Sequence, residues 1–411
     1  MKKTVFILGP IVALAAVNAA HAQSSVTLYG LLDVGINYTN DAQTGRGTNG
    51  ALNGRSLVNM TDGATRGYGS RWGLRGSEEL GDGLSAIFTL ENGFNPTNGA
   101  LGQGGAMFGR QAYIGLKSDT YGTVMFGRQY DSQADFVSSY SPFIVAGLSG
   151  TTPGDVDGLG HTRRMNNAIK YVSHGYRGLS FGGTYSLGGK AGDFTGSQAW
   201  ALGANYEAGN FSVGAGYFNA RDPNLSSFGV NPNSGGATVS NMGSVGSLTT
   251  AQSNPIYAGY ASARTLEIYS AGASYKVGKA TLAASFSHTA FDNLGDLTAG
   301  PNPFGYHGTA VFNTATATVS YAATPAFLIG GGYTYTHGGG AVGNGSATYN
   351  QGIVSLQYFF SKRTEVYLYG VYQTASGTDS LGQPTVANID LMTPSSTNHQ
   401  FVGRVGIVQR F

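Results

Sequence analysis

VTLYGLLDVGINY, residues 26–38, alternates with a period of two along its whole length. Val26, Leu28, Gly30, Leu32, Val34, Ile36 and Tyr38 form one apolar or small series, while Thr27, Tyr29, Asp33 and Asn37 fall in the other. That pattern specifies a β-strand with one apolar face. Strands of soluble domains average about five or six residues, whereas a tilted strand that crosses a bilayer needs about 9–11. The length of this stretch therefore favours a transmembrane barrel over a soluble sandwich.

Fifteen further segments extend the pattern: 70–80, 84–93, 107–117, 122–130, 169–172, 179–187, 198–207, 211–220, 266–277, 280–291, 311–321, 327–336, 352–360, 364–374 and 398–411. Tight turns such as Gly81-Asp82-Gly83, Gly209-Asn210 and Gly278-Lys279 join them in pairs. Long polar connections, among them 41–65, 222–263 and 376–397, alternate with these turns. All short turns then share one rim and all long loops the other, as in outer-membrane barrels. The expected fold is all-β, a 16-stranded antiparallel transmembrane β-barrel. In 311–321 the second series is Phe312, Thr314, Thr316, Thr318 and Ser320, small and polar enough to predict a hydrated interior. Tyr38, Tyr275, Tyr321, Tyr358 and Phe360 lie near strand ends on the apolar series, where interfacial aromatic girdles form.

Composition agrees with this class. Charged residues make up 11% of the chain, and glycine, at 66 residues, far exceeds its usual share of about 7%. Plentiful tyrosine and phenylalanine argue against disorder. Residues 1–22 read as a secretory signal peptide: Lys2 and Lys3, a short apolar run, then Ala20-His21-Ala22. The barrel then occupies 23–411, with 21 basic and 21 acidic residues. This neutral balance gives no field to recruit nucleic acid. Cysteine is absent, excluding disulfide and thiolate chemistry. Six histidines beyond the leader (His161, His174, His288, His307, His337 and His399) show no metal-ligand spacing and no nucleophile motif, so no catalytic residue, metal or cofactor is expected.

A further long connection lies between the strands at 122–130 and 169–172. Its apolar residues, Phe136, Tyr140, Phe143, Ile144 and Val145, are too many for a solvated linker, so it is expected to fold into the barrel mouth. It carries Asp131, Asp135, Asp155 and Asp157, followed by Arg163 and Arg164. Strand parity turns Arg71, Arg75, Glu91 and Asp33 toward the interior, and Arg110 too if Tyr113 points out. Arginine at mid-membrane on a lipid face costs about 2–4 kcal/mol, which enforces this choice. Arg128 is the exception. Parity with Val124 and Phe126 places it outside, where a protein–protein interface would shelter it.

VTLYGLLDVGI, SRWGLRGSEELGDGLSAIFTLENGF, FGRQAYIGLKSDTYGTVMFGRQYD, RMNNAIKYVS and the ending GRVGIVQRF resemble the trimeric general porins of Gram-negative bacteria, of the β-proteobacterial type. The resemblance implies a homotrimer in the outer membrane whose third extracellular loop folds inward. It implies a water-filled channel for passive diffusion of ions and small hydrophilic solutes. Arg71 and Arg110 match wall arginines of the family, and Arg163 or Arg164 lies where the loop returns to the wall. A lysine that some relatives carry after LYG is Leu31 here. Terminal Phe411 resembles the signal read for membrane insertion, with Gln409 departing from the usual apolar residue.

The expected constriction therefore opposes a basic set (Arg71, Arg75, Arg110, Arg163, Arg164) to an acidic one (Asp33, Glu91, Asp131, Asp135, Asp155, Asp157), with a mild anion preference. A substrate-specific channel is the alternative, because Tyr29, Tyr367 and Tyr369 also take inward parity. An enzyme or adhesin on the same barrel has less support.

Overall fold

The structure, a computed structural model, describes residues 25–63, 69–229 and 235–411. The leader expected over residues 1–22 lies outside them. Seventeen strand segments occur among the described residues. They are β1 (Ser25–Arg46), β2 (Leu52–Asp62), β3 (Arg71–Gly81), β4 (Leu84–Gly93), β5 (Gln111–Ser118), β6 (Gly122–Gln129), β7 (Met165–Val172), β8 (Leu179–Ser186) and β9 (Ala199–Ala208). There follow β10 (Phe211–Arg221), β11 (Thr265–Val277), β12 (Ala280–Leu294), β13 (Gly308–Thr324), β14 (Phe327–Gly338), β15 (Ala347–Phe359), β16 (Thr364–Gly377) and β17 (His399–Arg410).

Each strand pairs antiparallel with its neighbours, and β1 closes the ring on β17. β2 and β3 lie end to end along one edge of β1: β3 pairs with residues 25–31 and β2 with 34–46. Together they make a single interrupted stave, so the barrel has sixteen staves. β1 and β2 correct the expected loop over 41–65. Register shifts after Thr39 and Gln43 act as bulges that let the ladder continue. Phe411 completes the seam, exchanging backbone hydrogen bonds with Gly30 at 3.0 Å in both directions.

Side chains sort by parity as the bilayer demands. On β13, Val319 and Tyr321 are exposed on the outside, whereas Thr314, Thr316, Thr318 and Ser320 are buried within. Thr314 and Thr316 are tied to the next staves through Thr336 and Ser285, at 3.0 and 2.6 Å. The interior is less open than this alternation predicts. At the long-loop rim, Leu266, Ile268, Phe291, Phe312 and Tyr349 face inward and pack beneath Tyr257 and Tyr260 of the connection between β10 and β11. Long loops also interlock above the rim: Arg46 N donates to Ser247 O and Gln43 N to Pro394 O, both at 3.0 Å.

The chain between β6 and β7 folds inward, with a short helix α1 (Ser132–Val137) capped by Asp131, whose side chain accepts from Ala134 N at 2.8 Å. Its seat is bare wall. A Cβ on Gly203, Gly214 or Gly216 would lie 2.4 Å from Ser132 O, 2.5 Å from Phe136 O or 2.9 Å from Gln133 Cα. On Gly272 it would lie 2.5 Å from Tyr140 Cβ. Only glycine admits this approach. Gln133 then donates to Ser270 Oγ at 2.9 Å, and Ser132 shares a hydrogen bond with Thr184 at 2.7 Å.

Gly272→Val should therefore displace Tyr140 while leaving the barrel intact, an overpacking penalty of about 1–3 kcal/mol. Trypsin should cut after Arg163 or Arg164 several-fold faster in the variant, with unchanged strand content by circular dichroism. Equal cutting rates would separate these glycines from the seating of the loop.

Candidate functional site

On the wall formed by β1, β3, β4 and β17, inward positions carry opposite charges in pairs. Glu91 Oε1 accepts from Arg110 Nε at 2.8 Å, its Oε2 accepts from Tyr29 Oη at 3.0 Å, and Arg71 Nε stands 3.6 Å away. Arg75 lies nearer the short-turn rim, exposed, with its guanidinium 5.3 Å from the Tyr29 ring centre. Asp33 is buried: its Oδ1 accepts from Tyr367 Oη at 2.7 Å and lies 3.8 Å from Arg404 Nη2. Arg404 Nε donates to Tyr367 Oη at 2.7 Å, and its Nη1 to Asn37 Oδ1 at 2.8 Å. Leu31 joins Val145, Tyr367 and Val408 in an apolar cluster.

Arg110 reaches the interior by a different route from the one parity suggested. Tyr113 points in, not out, and bonds Thr89 Oγ1 at 3.0 Å. The β5 ladder begins only at Gln111, so Arg110 sits before strand alternation applies.

The loop's acids do not form the opposing wall. Asp131 caps α1. Asp157 accepts from Thr152 and Ser287 hydroxyls at 2.9 and 2.8 Å, and Asp155 accepts from Gly160 N at 2.7 Å. All three are buried, consumed in holding the loop's own shape and its attachment to β12. Asp135 pairs with Lys170 of β7 and lies 3.5 Å from His161 Nε2. Of the basic pair, Arg163 is buried and donates from Nη2 to Asp155 O and Val156 O at 3.1 and 3.2 Å. Arg164 donates to Thr162 O at 2.8 Å and, from Nη2, to Tyr130 Oη at 3.2 Å; that oxygen also accepts from Arg110 at 2.9 Å.

The remaining gap between loop and wall is a cavity of about 360 Å³, whose lining includes Arg110, Arg164, Arg404, His161, Asp62 and Tyr369. A second cavity of about 450 Å³ includes Asp135, Phe143, His161 and Arg410. His161 borders both, which places it at the junction. Sequence reasoning missed Arg404, Lys170 and His161 as site residues. Parity opposite to Phe401, Val405 and Ile407, which are exposed on the outside of the last strand, identifies Arg404. The short segment 169–172 hid Lys170, and nothing local marks His161.

Arg128 has partners within its own chain, donating from Nε to Gly109 O at 2.8 Å and from Nη1 to Asn166 Oδ1. A register shift between Gly127 and Gln129 breaks the alternation that placed it against lipid. The need for shelter, which motivated an interface role, is thus met locally.

Burial with Asp157 close by pushes the Asp155 carboxyl up to about 6. Burial with Asp155 nearby pushes Asp390, on the connection between β16 and β17, up to about 7. Both folded-state values lie above the unfolded one, so the packed loops hold protons that the unfolded chain releases. Stability should fall as pH rises from about 4 through 7. The midpoint of thermal unfolding should drop between pH 5 and pH 8, and Asp390→Asn should flatten the upper part of that slope. A midpoint independent of pH in the parent protein would mean that these carboxyls ionise without penalty.

Comparison with known proteins places this architecture. Residues 11–380 match the sequence profile of the Gram-negative porin family. An outer membrane porin protein of Bordetella pertussis is 41% identical over 191 residues, covering 46% of this chain and 48% of its own. Outer membrane porin protein 32 of Delftia acidovorans is 32% identical over 201 residues, covering 46% of this chain and 50% of its own. The chain spans about half the length of the curated relatives it matches. Among solved structures, an anion-selective porin from Comamonas acidovorans superposes with a TM-score of 0.69 at 20% identity, covering 95% of this chain and all of the other. OmpT of Vibrio cholerae follows at 0.62 and 16%, with 95% of this chain and 100% of the other covered. With sixteen staves, an inward loop and a family match over most of its length, the chain belongs to the Gram-negative porin family.

Proposed function

We propose that the protein is an outer-membrane channel through which ions and small hydrophilic solutes diffuse passively, with a preference for anions. One observation carries the sign of that preference. The cavity between loop and wall presents Arg110, Arg164 and Arg404 against the single carboxylate of Asp62 among its described lining residues. The four loop acids that would balance them are taken up in capping, anchoring and the Lys170 pair. Unit charges about 4 Å apart interact by about 1 kcal/mol in bulk water and about 4 kcal/mol at intermediate dielectric, enough to sort ions in a narrow passage. The fold of an anion-selective porin supports the same reading.

Family membership, together with a trimeric form solved for a neighbour of similar fold, supports a homotrimer. Export through a leader over residues 1–22 and recognition of Phe411 during insertion complete the reading. Arg71, Arg110 and Arg164, with Arg404 added, form the basic side of the constriction; Glu91 and Asp33 hold the guanidinium groups in place. Arg163 acts by anchoring the loop.

In planar bilayers under a potassium chloride gradient, the reversal potential should take the sign of chloride preference. Arg164→Glu should move it toward potassium by reversing one charge on the lining of the gap between loop and wall. Potassium preference in the parent protein would overturn the anion assignment. Saturable uptake of one solute by proteoliposomes would replace the general channel with a specific one.

A further inference from the structure

A third cavity, of about 350 Å³, shares Gln103, Thr162 and Arg164 with the lining of the gap between loop and wall. Its lining includes Arg128, Arg163, Arg164, Ser227, Phe228 and Tyr257. Three guanidinium groups therefore converge on one space, and among the described residues no carboxylate lines it. None of the three forms an ion pair with a carboxylate among the described residues either. Local backbone and side-chain oxygens occupy only part of their hydrogen-bonding capacity.

The unused donors are specific atoms. Arg163, at 9% exposure, keeps two carbonyl acceptors on Nη2, while its Nη1 has no partner among the described residues. Among the described residues Arg164 Nε has no partner, nor has Ser227 Oγ, itself buried. Gln103 Oε1 and Asn254 Oδ1 on the same lining are unmatched acceptors among the described residues, but three guanidinium groups leave the cavity with donors in excess. Buried donors left unmatched are costly, so further acceptors are expected to come from outside the chain. Guanidinium forks suit planar or tetrahedral oxyanions in particular.

Two aromatic rings share the lining with Met242 and the polar side chains of Gln103, Thr162, Asn241 and Asn254. Phe228 and Tyr257 stand 5.3 Å apart between ring centres, and the Arg163 guanidinium lies 5.4 Å from the Phe228 ring centre. Small-molecule pockets run from about 300 to about 1,000 Å³. An inorganic ion alone would leave most of this one unfilled.

We propose that this pocket binds an organic oxyanion, a carboxylate or phosphate ester with a flat apolar body. The charged end meets the donors of Arg128, Arg163, Arg164 and Ser227, and the body lies on Phe228 and Tyr257. The site sits beside the conduction path, shares Arg164 with it, and stands on its own unmatched donors whatever the chain conducts.

Titration calorimetry on the full detergent-solubilised protein, with benzoate and with inorganic phosphate as probes, tests this. Benzoate should bind saturably, more weakly as potassium chloride is raised, and more tightly than inorganic phosphate. Ser227→Ala and Arg128→Gln should each weaken benzoate about tenfold, the loss of one charge-assisted hydrogen bond. Ser227 borders this pocket and not the gap between loop and wall, so its effect locates the site. Unheated gel migration like that of the parent protein establishes that each variant is folded. Absence of saturable heat, benzoate binding indifferent to both substitutions, or phosphate binding without benzoate binding would overturn the proposal. Calorimetry reads binding without ion flow, so its outcome and that of the reversal-potential measurement are independent.

Discussion

The structure depends on how closely one segment of backbone lies against another. The inward loop rests on β9, β10 and β11 at a distance that leaves no room for a Cβ on Gly203, Gly214, Gly216 or Gly272. A barrel of sixteen staves is wide enough to be an open tube. Filling part of it with a helix pressed to one side leaves a passage along the other. The position of that passage, whose lining takes Asp62 from β2, Tyr369 from β16 and Arg404 from β17, follows from where the wall is bare.

The same seating decides the electrostatics. A carboxylate taken out of water needs donors or an opposite charge. The loop meets that requirement internally: Asp131 on its helix, Asp157 on Thr152 and Ser287, Asp135 on Lys170. Asp131 and Asp157 used this way no longer face the gap, while Asp135 lines the second cavity with its charge set against Lys170. On the wall Glu91 and Asp33 are engaged with Arg110 and with Tyr367 beside Arg404, so each orients cationic groups. An equal count of acids and bases over residues 23–411 thus produces a locally basic lining.

Much of this was legible in the sequence. Period-two alternation located sixteen segments, and each coincides with a stave, because lipid on one side and a polar lumen on the other impose a pattern no loop imitates. Parity also placed Arg71, Asp33 and Glu91 correctly inside. It failed where alternation is interrupted: at Arg110 before its ladder begins, at Arg128 beside a bulge, and across 41–65, where polar residues of β1 and β2 extend the sheet into solvent. Composition revealed that the loop carried acids but not which way they turned, since that is set by hydroxyls on β12 and by a lysine on β7, far away in the chain. The apolar packing beneath the long-loop rim was hidden for a similar reason. Leu266, Ile268 and Phe312 occupy lumen-facing positions that make sense only once Tyr257 and Tyr260 are folded over them.

The contacts of the β1–β2 extension with the neighbouring loops carry a further consequence. Arg46 is held by the main chain at Ser247, Gln43 by that at Pro394, and the Gln43 side chain donates to Gln252 at 2.9 Å. The outward crown is a woven surface, not a set of separate fingers. A change of length in one connection disturbs two others, so drift in these segments must be concerted, and an antibody raised to any one of them as a free peptide would meet a shape the folded crown does not display.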